Sequence, residues 1–108
     1  MIHLTEGTLE GYIGSSKPTV VDSYASWCEP CKRTMKIWPN LEAEFEDKVT
    51  FLKIDVDENR LLADSLYVHS IPTFFIFKDG KQVEKWEGIK TLLEMKKIIE
   101  RYIWHINM

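Results

Sequence analysis

The chain carries two cysteines and no others, three positions apart in Trp27-Cys28-Glu29-Pro30-Cys31, directly after an apolar run that reads as a strand. This pairing constrains the fold more than any other feature. With Cys28 at the mouth of the following helix, Cys31 sits one turn further along the same face. That spacing lets the two sulfurs close a disulfide within the first turn, subject to the usual distance limits. The free N–H groups and the positive end of the helix favour Cys28 as a thiolate. Cys31, deeper in the turn, is expected to stay protonated until it acts as the resolving thiol. A thiol pair so placed performs dithiol–disulfide exchange.

The order of elements around this motif indicates an α/β architecture. At 108 residues the chain is read as a single domain over residues 1–108, with room for one core. Thr8 to Ile13 is a short helix candidate closed by Gly14-Ser15-Ser16, and Pro18 to Ala25 is an apolar strand. From Glu29 to about Phe45, Met35, Trp38, Leu41 and Phe45 recur at spacings of three and four, the stripe of an amphipathic helix. Val49 to Val56 is a second apolar strand, and Arg60 to Tyr67 a short helix with Leu61, Leu62 and Leu66. Thr73 to Lys78 is strongly β-forming, with Asp79-Gly80 turning it into a hairpin with Gln82–Trp86. A closing helix from Thr91 to about Trp104 places Leu92, Met95, Ile99 and Tyr102 on one face. Apolar middle strands need cover on both sides, so a mixed sheet of four or five strands with helices on both faces is expected.

Composition narrows the function. The formal net charge of −3, with no basic run, argues against nucleic acid as a partner. The opening Met1-Ile2-His3-Leu4-Thr5-Glu6 has neither the basic region nor the apolar length of a secretory signal or membrane span. Two cysteines in such a chain suit a reducing compartment, so a cytoplasmic, monomeric protein is expected, away from membranes. No Gly-rich dinucleotide fingerprint is present, and no organic cofactor is expected.

Asp22 lies six residues before Cys28, Trp27 immediately before it, and Ile71-Pro72-Thr73 opens the strand after the short helix. Lys53 sits in the preceding strand, Gly80 in the hairpin and Gly88 after the last strand. Together these residues resemble the thioredoxin family, over a span from about Leu4 to Tyr102. The resemblance implies the thioredoxin-like fold, reduction of protein disulfides, and resetting by a thioredoxin reductase (an NADPH-linked flavoprotein) or a similar dithiol donor. It also implies a cis bond before Pro72, whose loop packs against the cysteines and leaves the Ile71 backbone free to pair with an extended substrate. Trp27, Glu29, Pro30, Ile71, Pro72 and Gly88 would then contact substrate, and Cys28, Cys31, Asp22 and Lys53 would carry the chemistry. The chain departs from the family pattern at Glu29, where glycine is usual, and at Lys36, where a kinking proline is usual and Pro39 appears instead. Ser23 replaces a common aromatic, and Ser70 a glycine that often precedes Ile-Pro.

Each residue also has a plainer reading. The cysteines could be buried packing or half a zinc site, but zinc needs two more ligands and His3, His69 and His105 show no ligand spacing. No metal is expected. Asp22 is either a solvated strand end or a buried acid with a raised pKa, able to exchange a proton with Cys31 through water. Lys53 either shares its field or sits on the surface. Trp27 is either packing or a shield beside the nucleophile, and Pro72, judged without the resemblance, would be trans. Glu29 either opposes the Cys28 thiolate or is screened by water. The tail Trp104-His105-Ile106-Asn107-Met108 reads as a helix end and trailing residues. At the level of function, an oxidant or isomerase of an oxidising compartment and a non-catalytic binding or regulatory module stand as alternatives.

Overall fold

The computed structural model describes residues 2–3 and 9–104. The expected features at Leu4 and Thr8 and the trailing residues from His105 onward lie outside the described residues. The elements run β1 (Ile2–His3), α1 (Glu10–Ile13), β2 (Thr19–Tyr24), α2 (Glu29–Phe45), β3 (Thr50–Asp55), α3 (Arg60–Ser65), β4 (Thr73–Lys78), β5 (Lys81–Glu87) and α4 (Leu92–Trp104). The sheet has five strands in the order β1-β3-β2-β4-β5. β1, β3 and β2 are parallel, whereas β4 runs antiparallel to both β2 and β5. The mixed α/β sheet read from the sequence is therefore present. Its two-residue first strand is an addition, since no apolar period marks so short an edge.

Both faces of the sheet are covered, and strand alternation explains how. Val20, Phe51, Phe74, Ile76 and Trp86 point to one side, where Trp38, Leu41 and Phe45 of α2 and Met95, Ile98, Ile99 and Ile103 of α4 close over them. Val21, Leu52, Ile54, Phe75 and Phe77 point to the other, under Tyr12 and Ile13 of α1, Leu62 of α3 and Leu66 just past the end of α3. Leu61, the third leucine of that segment, is exposed instead.

Trp38 locks α2 to the sheet. It is fully buried, stacked on Phe74 at 5.8 Å between centroids and edge-on to Phe51 at 5.6 Å. Because Trp38 lies two turns after Cys31 on the same face, this packing also holds the cysteine end of α2 in place. Pro39 sits inside α2 without ending it, although it withholds an N–H from the carbonyl one turn back.

Local chemistry sets the other boundaries. Asp79 and Gly80 take φ of 53° and 79°, so the tight β4–β5 turn needs left-handed backbone at both central residues. Tyr67 also has a positive φ, of 56°, and the helix expected to reach it ends at Ser65. Thr91 and Glu94 form a capping box at the start of α4. The Glu94 N–H donates to the Thr91 hydroxyl at 3.1 Å, and the Thr91 N–H to the Glu94 carboxylate at 2.9 Å. These backbone and hydroxyl hydrogen bonds hold the Glu94 carboxyl below its ordinary pKa.

Candidate active site

β2 and β3 are parallel, so their C-terminal ends meet at one edge of the sheet, the usual place for a site in an open α/β fold. Cys28 and Cys31 lie there, joined in a disulfide with their Cα atoms 5.3 Å apart. Cys28 is the N-cap of α2, with the extended backbone that position requires (φ −85°, ψ 113°). Its sulfur accepts the Cys31 N–H at 3.3 Å, the service an oxygen cap ordinarily performs. Pro30 occupies the first turn, where its missing N–H costs nothing. Both cysteines are buried, Cys28 at 4% exposure and Cys31 at 1%.

The Ile71–Pro72 bond is cis, as the resemblance implied. The Ile71 carbonyl oxygen lies 3.9 Å from Cys28 Sγ, a contact in the oxidised state because a disulfide sulfur has no proton to donate. Gly88, at φ 83°, donates its N–H to the Pro72 carbonyl at 2.9 Å, so the end of β5 braces the proline loop. Gly88 meets the loop through its backbone, and its positive φ suits glycine.

Asp22 is fully buried on the sheet face covered by α2, and neither carboxylate oxygen has a hydrogen-bond partner among the described residues. Burial pushes its pKa from 3.8 up to about 7, against the opposing pull of the Lys53 ammonium. The buried reading of Asp22 therefore holds. Lys53 is its direct partner across the β2–β3 register and is half-buried, with its ammonium 5.6 Å from the Tyr24 ring centroid. A carboxyl poised near neutrality can give or take a proton at physiological pH.

Trp27 is not packing in the ordinary sense. It is 66% exposed, yet its indole N–H donates to Asp57 Oδ2 at 2.8 Å. That bond fixes a flat apolar surface beside Cys28. Trp27 and Ile71 border an open cleft of about 260 Å³ with Val56, Ala63 and Val68 on its apolar side and Asp57, Arg60, Asp64 and His69 among its polar lining. Asp57 was not singled out from the sequence. Its signal was topological: it follows β3 as Trp27 follows β2, and parallel strands bring those two ends together.

Glu29 projects into solvent and pairs with Lys32 one turn on, at 3.1 Å. The ammonium offsets part of the field that Glu29 exerts on Cys28. Glu29→Gln in the reduced protein is expected to lower the Cys28 pKa by only roughly 0.2, since water screens both charges. Thiolate absorbance against pH measures this, and an unchanged or raised pKa would refute any influence of Glu29 on the thiol.

A redox-active dithiol capping a helix, a buried acid under that helix and a cis-proline loop against the outer sulfur together define a thiol–disulfide oxidoreductase on an α/β scaffold. The chain belongs to the thioredoxin family, whose family model, described as Thioredoxin, matches residues 1–101. It is 34% identical to a thioredoxin of Staphylococcus saprophyticus over 103 residues, covering 95% of this chain and 98% of that one. A Staphylococcus aureus thioredoxin is 38% identical over 84 residues, or 78% of this chain and 81% of that one. The fold superposes on the thioredoxin of Fasciola hepatica with a TM-score of 0.86 at 34% identity, covering 94% and 99% of the two chains. It also matches, with a TM-score of 0.85 at 32% identity and 94% coverage of each chain, a chain from a study of thiol resolution in yeast mitochondrial 1-Cys peroxiredoxin via glutathione and thioredoxin systems.

Proposed function

We propose that this protein reduces disulfides in other proteins, with Cys28 as nucleophile and Cys31 as resolving thiol. The Cys28 thiolate attacks one sulfur of a substrate disulfide, forming a mixed disulfide and releasing the other substrate sulfur as a thiolate. Cys31, deprotonated with Asp22 as the proton acceptor through water, attacks Cys28 Sγ. The second substrate thiolate leaves, the Cys28–Cys31 disulfide closes, and the two electrons have passed to substrate. A thioredoxin reductase or a comparable dithiol donor then restores the dithiol. Lys53 tempers the charge on Asp22, and the Ile71 backbone, Trp27 and Gly88 border the bound substrate chain. Such a cycle belongs in a reducing compartment, the cytoplasm, with the protein acting as a monomer.

The observation that carries this reading is the capping geometry of Cys28, which gives its sulfur the helix N–H. No helix among the described residues is long and apolar enough to cross a membrane.

Turnover tests the proposal. With dithiothreitol as donor, the protein should reduce many equivalents of insulin disulfide, whereas a regulatory module would react once and stop. Equilibration of Cys28–Cys31 in glutathione and dithiothreitol buffers separates reductant from oxidant. A midpoint more negative than about −220 mV supports the proposal, and one near −120 mV, about that of a strong oxidant, overturns it.

A further inference from the structure

The residue before the cis-proline pair is tied to the far strand by a side chain. Ser70 Oγ donates to Glu87 Oε2 at 2.6 Å, across seventeen positions of sequence. Glu87 ends β5 in register with Thr73 and precedes Gly88, whose N–H is on the Pro72 carbonyl. The Ser70 carbonyl is itself engaged, accepting from the Thr73 hydroxyl. An exposed carboxylate is thus held one residue from Ile71, whose carbonyl touches Cys28 Sγ. Glutamates on a surface ordinarily sample many rotamers; this one is fixed by a short, charge-assisted bond.

Its surroundings leave the charge standing. Lys85, on the same face of β5, has its ammonium on the Tyr67 carbonyl at 3.0 Å and 5.5 Å from the Phe75 ring centroid, and no ion pair to Glu87 is present among the described residues. On the other side of Ile71, the cleft sets the two carboxylates of Asp57 and Asp64 against the one guanidinium of Arg60, so these groups add a net negative charge. Glu29 is offset by Lys32.

We infer that Glu87 is a specificity-determining residue that favours disulfides flanked by a lysine or arginine, and that Ser70 is the positioning residue that aims it. The inference rests on the proposed pairing of substrate with the Ile71 edge. A substrate chain along that edge brings the side chains beside its disulfide within reach of the Glu87 carboxylate. A cation there gains an ion pair as water is displaced, and an anion meets repulsion.

The test uses three synthetic disulfide peptides that differ only in one residue beside the disulfide: Lys, Gln or Glu. The kcat/KM ratio of the Lys to the Glu peptide is measured on one protein sample with dithiothreitol as donor, so any inactive fraction cancels. The wild-type ratio is expected to be roughly two- to fivefold, the range for an exposed charge pair. It should shrink as salt rises toward about 1 M. Glu87→Gln should bring the ratio close to one, Ser70→Ala should lower it part-way, and Ser70→Thr, which keeps a hydroxyl, should restore it. A wild-type ratio of one with brisk reduction of the Gln peptide overturns the inference and leaves disulfide reduction standing. So does a Glu87→Gln ratio equal to wild type. An unaltered ratio in Ser70→Ala removes the aiming role. Failure of the wild type to reduce even the Gln peptide removes the proposed reaction and the inference with it.

Discussion

Cys28→Ser should abolish disulfide turnover, while Cys31→Ser should convert the protein into a trap. The two outcomes differ because the sulfurs occupy different places in one helical turn. Cys28 caps α2, and Cys31 lies buried in its first turn. Serine at position 28 can still cap the helix, so the fold should persist, but its hydroxyl stays protonated at neutral pH and does not attack sulfur. The expected loss is of the order of a thousandfold or more, at least the upper part of the range a single catalytic group supplies. Serine at position 31 leaves attack intact and removes resolution, so mixed disulfides through Cys28 should accumulate. Mass spectrometry of adducts formed with a disulfide protein decides between the roles. Adducts through Cys31 in the Cys28→Ser protein, at the rate of the converse variant, would show that the inner sulfur is the nucleophile.

Much of this site was legible before any coordinates. The Cys-x-x-Cys spacing, the stripe from Met35 to Phe45 and the β-forming run from Thr73 to Lys78 are local patterns, and α2 and β4 begin and end where those patterns do. Asp22 was legible because a carboxylate in an apolar strand contradicts its surroundings. Contacts between distant segments were not legible. The Trp27–Asp57 bond requires β2 and β3 to be parallel and in register, and the Ser70–Glu87 bond requires the hairpin to return β5 to the proline loop. Neither residue pair has a spacing that marks it, since tertiary register rather than periodicity brings the groups together. The short β1 is hidden for a related reason: two residues carry no period, and only their pairing with Leu52 and Lys53 makes them a strand.

Asp22→Ala should make the protein more stable in alkali while making it a slower catalyst. The carboxyl is fully buried without a hydrogen-bond partner among the described residues, and its pKa stands at about 7 against 3.8. Below pH 3.8 the group is protonated in both folded and unfolded chains and imposes no ionisation penalty. Between 3.8 and about 7 the unfolded chain releases the proton while the folded one keeps it, so stability falls as pH rises through that window. Above about 7 both forms are ionised, and the full penalty, about 4 kcal/mol at most from the gap between those two values, is in place. Alanine removes the penalty and leaves a small cavity that offsets part of the gain. Urea unfolding should therefore show the variant ahead of wild type by roughly 1–3 kcal/mol at pH 9, with the advantage gone near pH 4. On the same samples, insulin reduction per folded molecule should fall by about tenfold to a hundredfold near neutral pH, as the group that takes the Cys31 proton is lost. Asp22→Asn, which keeps the shape without the proton, should be as slow. Full turnover in either variant would make Asp22 a buried charge without a catalytic part, whatever it does to stability.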